Sequence, residues 1–325
     1  MWSHLDMALA LAVLTIGLIF LVFSADWFIE GAAATAAHLG VPPLLIGLVI
    51  IGFGSSAPEM LISALAAFQN NPGLALGNAV GSNITNIALI LGITALIKPV
   101  PISDEILRRE MPILILICGT SCLLIALDGQ LQFTDGILLM IGFTGAMAWM
   151  ITASLRDKKP QNNPPDAPKY SLIISITLTL LGFLLLLASS RAIVWGGTEI
   201  ARAFGISDLI IGLTIVAIGT SLPELAATIT AVKKSLYDLA LGNIIGSNIF
   251  NGSIVIGIAA LISPTEVEPP LVYRDLPIMM FLTITLFIVG TRVVTSSSGI
   301  ISRKEGLVLL TIYLAYNTLL AVSLF

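Results

Sequence analysis

The chain has 325 residues, of which 57% are hydrophobic and only 10% are charged. A soluble domain carries about 45–50% apolar and about 25% charged residues. The apolar residues of this chain are too many for the hydrophobic core of one water-soluble domain, so the composition indicates a polytopic protein of the lipid bilayer. The net charge is only −4 and the sequence has no basic patch, which argues against nucleic-acid binding.

Ten apolar stretches are long enough to cross the hydrocarbon as helices, which takes about 20 residues each. We interpret the first as a retained span, because Met1 to Asp6 carries no basic n-region. The polar segment from Arg156 to Lys169, rich in Pro, Asn and Lys, is predicted to be a solvated linker. In chain order the predicted spans are residues 7–24, 43–67, 73–97, 111–127, 134–154, 172–192, 206–231, 238–263, 275–294 and 305–323.

The chain contains an internal repeat. Residues 39–99 align without a gap with residues 204–264, and about 27 of the 61 pairs are identical, against a chance level of about one in ten. The predicted division is a five-helix repeat over 1–155, a cytoplasmic linker over 156–170 and a second repeat over 171–325. Because five is odd, the halves must lie upside down relative to each other. The predicted fold is therefore an all-α membrane protein of ten transmembrane helices, arranged as two inverted-topology five-helix repeats.

The basic residues predict the orientation independently. With the linker in the cytoplasm, 12 of the 15 Lys and Arg residues are cytoplasmic, and only Arg191, Arg202 and Arg274 are outside. This bias follows the positive-inside rule. Both termini are then predicted to face the exterior.

One short motif, Gly-(Ser/Thr)-Ser-x-Pro-Glu, occurs at residues 54–59 and again at 219–224. A proline removes a backbone donor from a helix and frees the carbonyl four residues earlier. Pro58 should therefore free the carbonyl of Gly54, and Pro223 that of Gly219. In lipid a freed carbonyl needs another partner, and we expect a bound cation to supply it.

Glu59 and Glu224 follow these prolines near the middle of their spans. A charged side chain at that depth costs about 2.5–3.5 kcal/mol on insertion scales. Since two such residues occupy equivalent positions of a repeat, we interpret them as functional cation ligands.

The third and eighth spans add polar residues at a spacing of four, which places each set on one helix face. The structural alternative is that these groups only form hydrogen bonds between helices, and it remains open for Asn78 and Asn243. The set on the third span is Asn78, Ser82 and Asn86, and the set on the eighth span is Asn243, Ser247 and Asn251. Ser63 and Thr228 lie four residues after Glu59 and Glu224, respectively.

All these candidate ligands are hard oxygen donors. Cys118 and Cys122 are assigned to helix packing, and His4 and His38 lie outside the motifs, so copper and zinc are poor candidates. Ca²⁺ takes six to eight such oxygens in flexible geometry, and Na⁺ has a similar radius. Mg²⁺ fits less well, because it demands a small octahedron. No cofactor and no catalytic residue is expected.

On these motifs the chain resembles the calcium/cation antiporter superfamily, in particular its sodium/calcium exchangers. The resemblance is carried by residues 54–59 with 77–84 and by their copies at 219–224 and 242–249. It implies a protein like the small bacterial and archaeal members, in the plasma membrane (the bacterial inner membrane), with ten helices in two inverted repeats. Such proteins exchange cytoplasmic Ca²⁺ for external Na⁺.

Carried over by motif position, the resemblance implies that Glu59 and Glu224 are the central Ca²⁺ ligands. Asn86 and Asn251 would occupy the last central positions, where these exchangers usually have one aspartate. Having asparagine at both positions leaves two carboxylates in this chain. The implied ligands of the flanking Na⁺ sites are the carbonyls of Ser55 and Thr220 and the hydroxyls of Ser56, Ser221, Ser82 and Ser247.

Three other interpretations stay open at this point. A proton-coupled Ca²⁺ or cation antiporter is the nearest, because a glutamate binds either H⁺ or Na⁺. A cation channel would also use buried carboxylates. A membrane-embedded hydrolase is disfavoured, since no His, Cys or Lys nucleophile lies near the motifs. We expect a non-enzymatic, functional monomer with no obligate protein partner.

Overall fold

The computed structural model describes residues 4–156, 170–205, 217–291 and 299–322. Helices cover nearly all of these residues, and the strands found there are four short pieces of two residues each. The first half contains α1 (His4–Leu39), α2 (Pro43–Ser55), α3 (Ala57–Phe68), α4 (Pro72–Ile97), β1 (Val100–Pro101), α5 (Ile106–Asp128), β2 (Gln130–Leu131) and α6 (Phe133–Arg156). The second half contains α7 (Leu172–Ala203), α8 (Ala217–Thr220), α9 (Leu222–Lys233), α10 (Tyr237–Ile262), β3 (Thr265–Glu266), α11 (Leu271–Gly290), β4 (Ile300–Ile301) and α12 (Arg303–Val322).

Most of the predicted spans are confirmed. Within the described residues eight helices are long and apolar enough to cross a membrane, and the bent pair α2 and α3 makes a ninth span. The predicted span over 206–231 begins at residues 206–216, outside the described part, and continues as α8 and α9. Most of the predicted linker, residues 157–169, also lies outside the described residues. The architecture is that of an all-α, multi-pass membrane protein.

Two helices are longer than predicted. α1 continues past residue 24 to Leu39, and α7 continues past residue 192 to Ala203. The prediction ended these spans before the charged residues Asp26 and Glu30 and near Arg191. A charged side chain does not interrupt helical hydrogen bonding, and at the membrane edge it reaches toward the polar interface.

The two helices with the polar sets form the centre of the molecule. The most apolar 18-residue window is 83% buried in α10 and 67% buried in α4, whereas it is at most 39% buried in the other single-helix spans of the described chain. α10 packs directly on α2, because a Cβ atom on Gly246 would overlap the carbonyl oxygen of Leu48. The polar side chains of α4 and α10 are thereby held away from lipid.

The short strands fix which loops share a membrane side. β1 pairs antiparallel with β4, and β2 pairs antiparallel with β3. β1 and β2 lie at opposite ends of α5, whose 23 residues span about 34 Å. β1 and β3 are separated by the repeat offset of 165 residues, so these related strands lie at opposite ends of the bundle. An inverted repeat requires this arrangement.

Candidate cation site

The two glutamates lie just after breaks in their helices. The axes of α2 and α3 differ by 42°, with Ser56 at the joint (φ −83°, ψ 0°). Ser221 has nearly the same backbone angles between α8 and α9 (φ −89°, ψ 4°). Glu59 and Glu224 therefore fall in the first turn of a helix, where the helix dipole favours negative charge.

The carbonyl of Gly219 has a side-chain partner that the sequence did not predict, and its coordination of a cation stays a prediction. The Ser190 hydroxyl of α7 donates a hydrogen bond to this oxygen at 2.6 Å. A side chain thus supplies the partner that Pro223 removes, as is common at proline breaks in membrane helices. The position equivalent to Ser190 in the first half is Ala25, which has no hydroxyl.

Both glutamates are buried, with about 1% of each residue exposed. The Ser56 hydroxyl donates to Oε1 of Glu224 at 3.5 Å, which joins the first motif to the second. In the described structure, Oε2 of Glu59 and Oε2 of Glu224 are buried without a hydrogen-bond partner. A buried carboxylate oxygen without a donor is costly unless a cation or proton approaches it.

Asn78 and Asn243 hold the glutamate helices in place. The side-chain amide of Asn78 donates to the carbonyl of Glu59 at 3.1 Å and to Ser63 Oγ at 2.9 Å. Asn243 repeats this pattern, with donation to the carbonyl of Glu224 at 3.3 Å and to Thr228 Oγ1 at 2.9 Å. These contacts favour the helix-holding role that the sequence left open for both asparagines.

Ser55 and Ser247 connect α2 of the first half to α10 of the second. Ser55 Oγ donates to Oδ1 of Asn243 at 3.0 Å and lies 3.2 Å from Ser247 Oγ. Ser247 Oγ also reaches the carbonyl of Gly52 at 3.4 Å. Both serines are fully buried.

Asn86 and Asn251 lie where α4 and α10 each change to a π-helical turn, a feature often found at functional sites. Asn86 Nδ2 donates to Oδ1 of Asn248 at 3.0 Å. As far as the structure describes the chain, Oδ1 of Asn86 and both amide atoms of Asn251 are buried without a hydrogen-bond partner. Oδ1 of Asn86 is therefore available as a neutral ligand.

Sequence reasoning did not include Asn83 and Asn248 among the candidate site residues. Asn83 Nδ2 donates to the backbone carbonyl of Asn248 at 3.2 Å, and at most 1% of either residue is exposed. The sequence could have pointed to them, because Asn83 and Asn248 occupy equivalent positions of the repeat, 165 residues apart. They lie off the helix faces defined by the spacing of four, so only the crossing of α4 and α10 brings them next to the site.

Three further predicted ligands, Ser82, Ser221 and Thr220, lie close in the chain to the residues described above. Ser82 is buried one turn before Asn86, and Ser221 is buried three residues before Glu224. Thr220 is half-buried at the end of α8. In the described chain no group of three or more His, Cys, Asp or Glu side chains could hold a metal ion. A cation here would meet two carboxylates and neutral oxygens.

The family model described as "Sodium/calcium exchanger protein" matches residues 9–152 and 174–322, which together cover most of the chain. The chain belongs to the sodium/calcium exchanger family. This family consists of transporters, which supports antiport of cations, including Ca²⁺, and a non-enzymatic role for this member.

Relatives of this family member cover nearly its whole length. The "Putative antiporter CaxA" of Alkalimonas amylolytica is 42% identical over 98% of this chain and 100% of its own. The "Inner membrane protein YrbG" of Escherichia coli is 39% identical over 86% of this chain and 87% of its own. The "Sodium/calcium exchanger MaX1" of Methanosarcina acetivorans is 30% identical over 95% of this chain and 97% of its own.

A solved structure of the sodium-calcium exchanger NCX_Mj, soaked with Na⁺ and Ca²⁺, matches this family member with a TM-score of 0.82. The identity is 30%, and the match covers 94% of this chain and 97% of that one. The fold is thus that of an all-α membrane exchanger.

Proposed function

We propose that this protein is a secondary active antiporter that exchanges Ca²⁺ for Na⁺ by alternating access at a site built on Glu59 and Glu224. The observation that carries the proposal is the equivalence of these two buried carboxylates, each with one oxygen that lacks a hydrogen-bond partner in the described structure. The backbone carbonyls of Ser55 and Thr220 and the neutral side chains around them complete the ligand set. Those side chains are Ser56, Ser82, Asn86, Ser221, Ser247 and Asn251.

The charge of the site explains why transport would be an exchange. With both glutamates ionised the site carries −2, and moving that charge through a low-dielectric barrier is costly. One Ca²⁺ or two Na⁺ neutralises it, whereas three Na⁺ would leave +1. The protein then changes access mainly when loaded. Since Asn86 and Asn251 are neutral, we infer that one Ca²⁺ exchanges for about two Na⁺, close to electroneutrality.

The topology follows the repeat. We propose that residues 1–155 and 171–325 form inverted five-helix repeats around the 156–170 linker, with both termini outside the inner membrane. The opposite placement of β1 and β3 supports this division. The site needs both halves, because Ser56 of one contacts Glu224 of the other. Since a single chain contains both halves, it can form the whole site, and we expect a functional monomer.

The alternative function is proton-coupled Ca²⁺ exchange. The hydroxyls of Ser55, Ser56 and Ser247 around the carboxylates favour Na⁺, because oxygen donors at these positions coordinate a metal ion and have no role for a proton.

Purified protein in proteoliposomes separates these couplings. Ca²⁺ uptake should follow an outward Na⁺ gradient at equal pH on both sides, and it should not follow a pH gradient in Na⁺-free medium. Uptake that follows the pH gradient and ignores Na⁺ would replace the sodium proposal with the proton one.

A further inference from the structure

α1 and α7 form a closely packed pair on the outside of the central helices. A Cβ atom on Gly31 of α1 would overlap the backbone nitrogen of Thr179, and one on Gly182 of α7 would overlap the backbone nitrogen of Phe28. Because backbone lies against backbone at both points, the two helices cannot slide past each other without losing this fit. We treat them as one unit, the α1/α7 pair.

Two polar links connect the α1/α7 pair to α8 and to α9, the helix that carries Glu224. One is the hydrogen bond from Ser190 to Gly219, beside the site. The other lies at the far end of α9, where Lys234 Nζ is 2.6 Å from Asp26 Oδ1 and 2.8 Å from Glu30 Oε1, both on α1. We call Lys234, Asp26 and Glu30 the ion-pair cluster. Lys234 immediately follows α9, so the cluster links the pair to the helix of Glu224.

The ion-pair cluster has no counterpart at the repeat-related positions. The offset of 165 residues relates Asp26 to Arg191, Glu30 to Trp195 and Lys234 to Gln69. Arginine, tryptophan and glutamine cannot form the same acidic pair around a cation. The glycines are different, because Gly31 corresponds to Gly196 and Gly182 to Gly17. The glycine packing of the pair is symmetric under the repeat, whereas the ionic link, which joins the first half to the second, has no repeat-related copy.

Lys234 stays charged over the physiological pH range. Burial lowers its pKa, but the hydrogen bonds and negative charges of Asp26 and Glu30 more than offset this effect, so the pKa lies above its usual value. Lys234 therefore keeps the positive charge on which both ion pairs depend at neutral pH.

We propose that the ion-pair cluster is a one-sided latch that positions α9 against the α1/α7 pair and favours one of the two access states. In an inverted-repeat transporter the two states exchange the roles of the halves. A contact between the halves that has no repeat-related copy is not reproduced when the halves exchange roles, so it stabilises one state more than the other. The latch therefore makes the apparent Ca²⁺ affinity differ between the two membrane faces. This consequence rests on the proposed exchange function.

The size of the effect follows from exposure. The side chains of Lys234, Asp26 and Glu30 are 28%, 46% and 29% exposed, so water screens their attraction. Ion pairs of this kind change an equilibrium by up to about fivefold. We expect a shift of about two- to fivefold when the latch is removed.

The test variant is Lys234→Gln, which introduces the residue found at the repeat-related position. The matched control is Lys233→Gln, the same change at the exposed preceding residue. A third variant, Lys234→Glu with Asp26→Lys and Glu30→Lys, reverses every charge and keeps the attraction. Spin labels at Leu18 of α1 and Leu314 of α12, both exposed, report the distance between the pair and the bundle in ion-free detergent. Cys118 and Cys122 are replaced by alanine in every variant.

Each access state should give its own distance between the two labels. Lys234→Gln should raise the population of the distance that is less populated in the parent about two- to fivefold. Lys233→Gln and the charge-reversed variant should match the parent. In oriented proteoliposomes the ratio of half-saturating Ca²⁺ on the two faces should change by the same factor. Unchanged distances in Lys234→Gln would overturn the latch, and so would a shift that charge reversal does not restore. If the distances shift but the parent exchanges no Ca²⁺, the latch stands and the proposed function fails.

Discussion

Asn251 is a position at which one added charge should change the coupling. It is fully buried at the start of a π-helical turn, and neither amide atom has a hydrogen-bond partner among the described residues. Asn251→Asp would bring the site to −3, which three Na⁺ neutralise and one Ca²⁺ does not. We expect exchange to become electrogenic, with about 2.3 kcal/mol per elementary charge gained or lost at 100 mV.

Valinomycin-clamped proteoliposomes measure this change. An inside-positive potential should speed Na⁺-driven Ca²⁺ uptake by Asn251→Asp and leave the parent nearly unaffected. Asn317→Asp makes the same chemical change on α12, where the amide donates to Tyr313 of its own helix, and should behave like the parent. A strong voltage response of the parent would contradict the two-carboxylate charge count.

Ser190 supplies the second residue-scale prediction. Ser190→Ala removes the donor from the buried carbonyl of Gly219, and an unpaired buried carbonyl costs about 1–3 kcal/mol. The variant should melt at a lower temperature in detergent. The control is Ser189→Ala, because the Ser189 hydroxyl bonds the Leu185 carbonyl of its own helix, where its loss matters less. Equal melting temperatures for the two variants would rule out the proposed role of Ser190.

Among single residues, the sequence was most informative about Glu59 and Glu224. Charge is rare at mid-membrane, and the repeat showed the two positions to be equivalent. The partners of Gly219 and Asn86 could not be predicted, because they lie on different helices, α7 and α10. Their contacts depend on how helices cross, and no spacing within one helix encodes a crossing.

At the scale of the helices, the contact between α10 and α2 positions the site. Gly246→Ala would place a methyl group against the carbonyl of Leu48, so it should reduce the yield of folded, monodisperse protein. Gly142→Ala is the matched control, because a Cβ there meets no atom within 4 Å. Since alanine favours helix over glycine, the control should fold at least as well as the parent. A fully stable Gly246→Ala variant would contradict the close packing.

The helices themselves were largely predictable. Long apolar stretches indicated the spans, and the prolines of both motifs predicted the breaks before the glutamates. The lengths of α1 and α7 were missed, because a charge at the membrane edge ends an apolar stretch but not a helix. For α1, the ion pairs of Asp26 and Glu30 with Lys234 accommodate the charges, and this partner lies more than 200 residues away.

For the whole molecule, the two halves form one site where they meet. Ser55 bonds Asn243, Ser56 bonds Glu224 and Asn86 bonds Asn248, and each contact joins one half to the other. Neither half alone can assemble this set of oxygens. Under the proposed exchange function the duplication has a structural reason, because a midplane site between inverted halves could be reached from either side in turn.

The central claim, exchange at the twin glutamates, is tested most directly by ⁴⁵Ca²⁺ counterflow in proteoliposomes. The parent should take up ⁴⁵Ca²⁺ faster when unlabelled Ca²⁺ is inside, because the loaded site returns more readily than the empty one. Glu59→Gln and Glu224→Gln should each reduce this uptake at least 100-fold, on the order of the cost of losing one charged ligand, while inserting and purifying like the parent. Native-rate counterflow in either variant, or uptake by the parent that internal Ca²⁺ does not stimulate, would contradict the account.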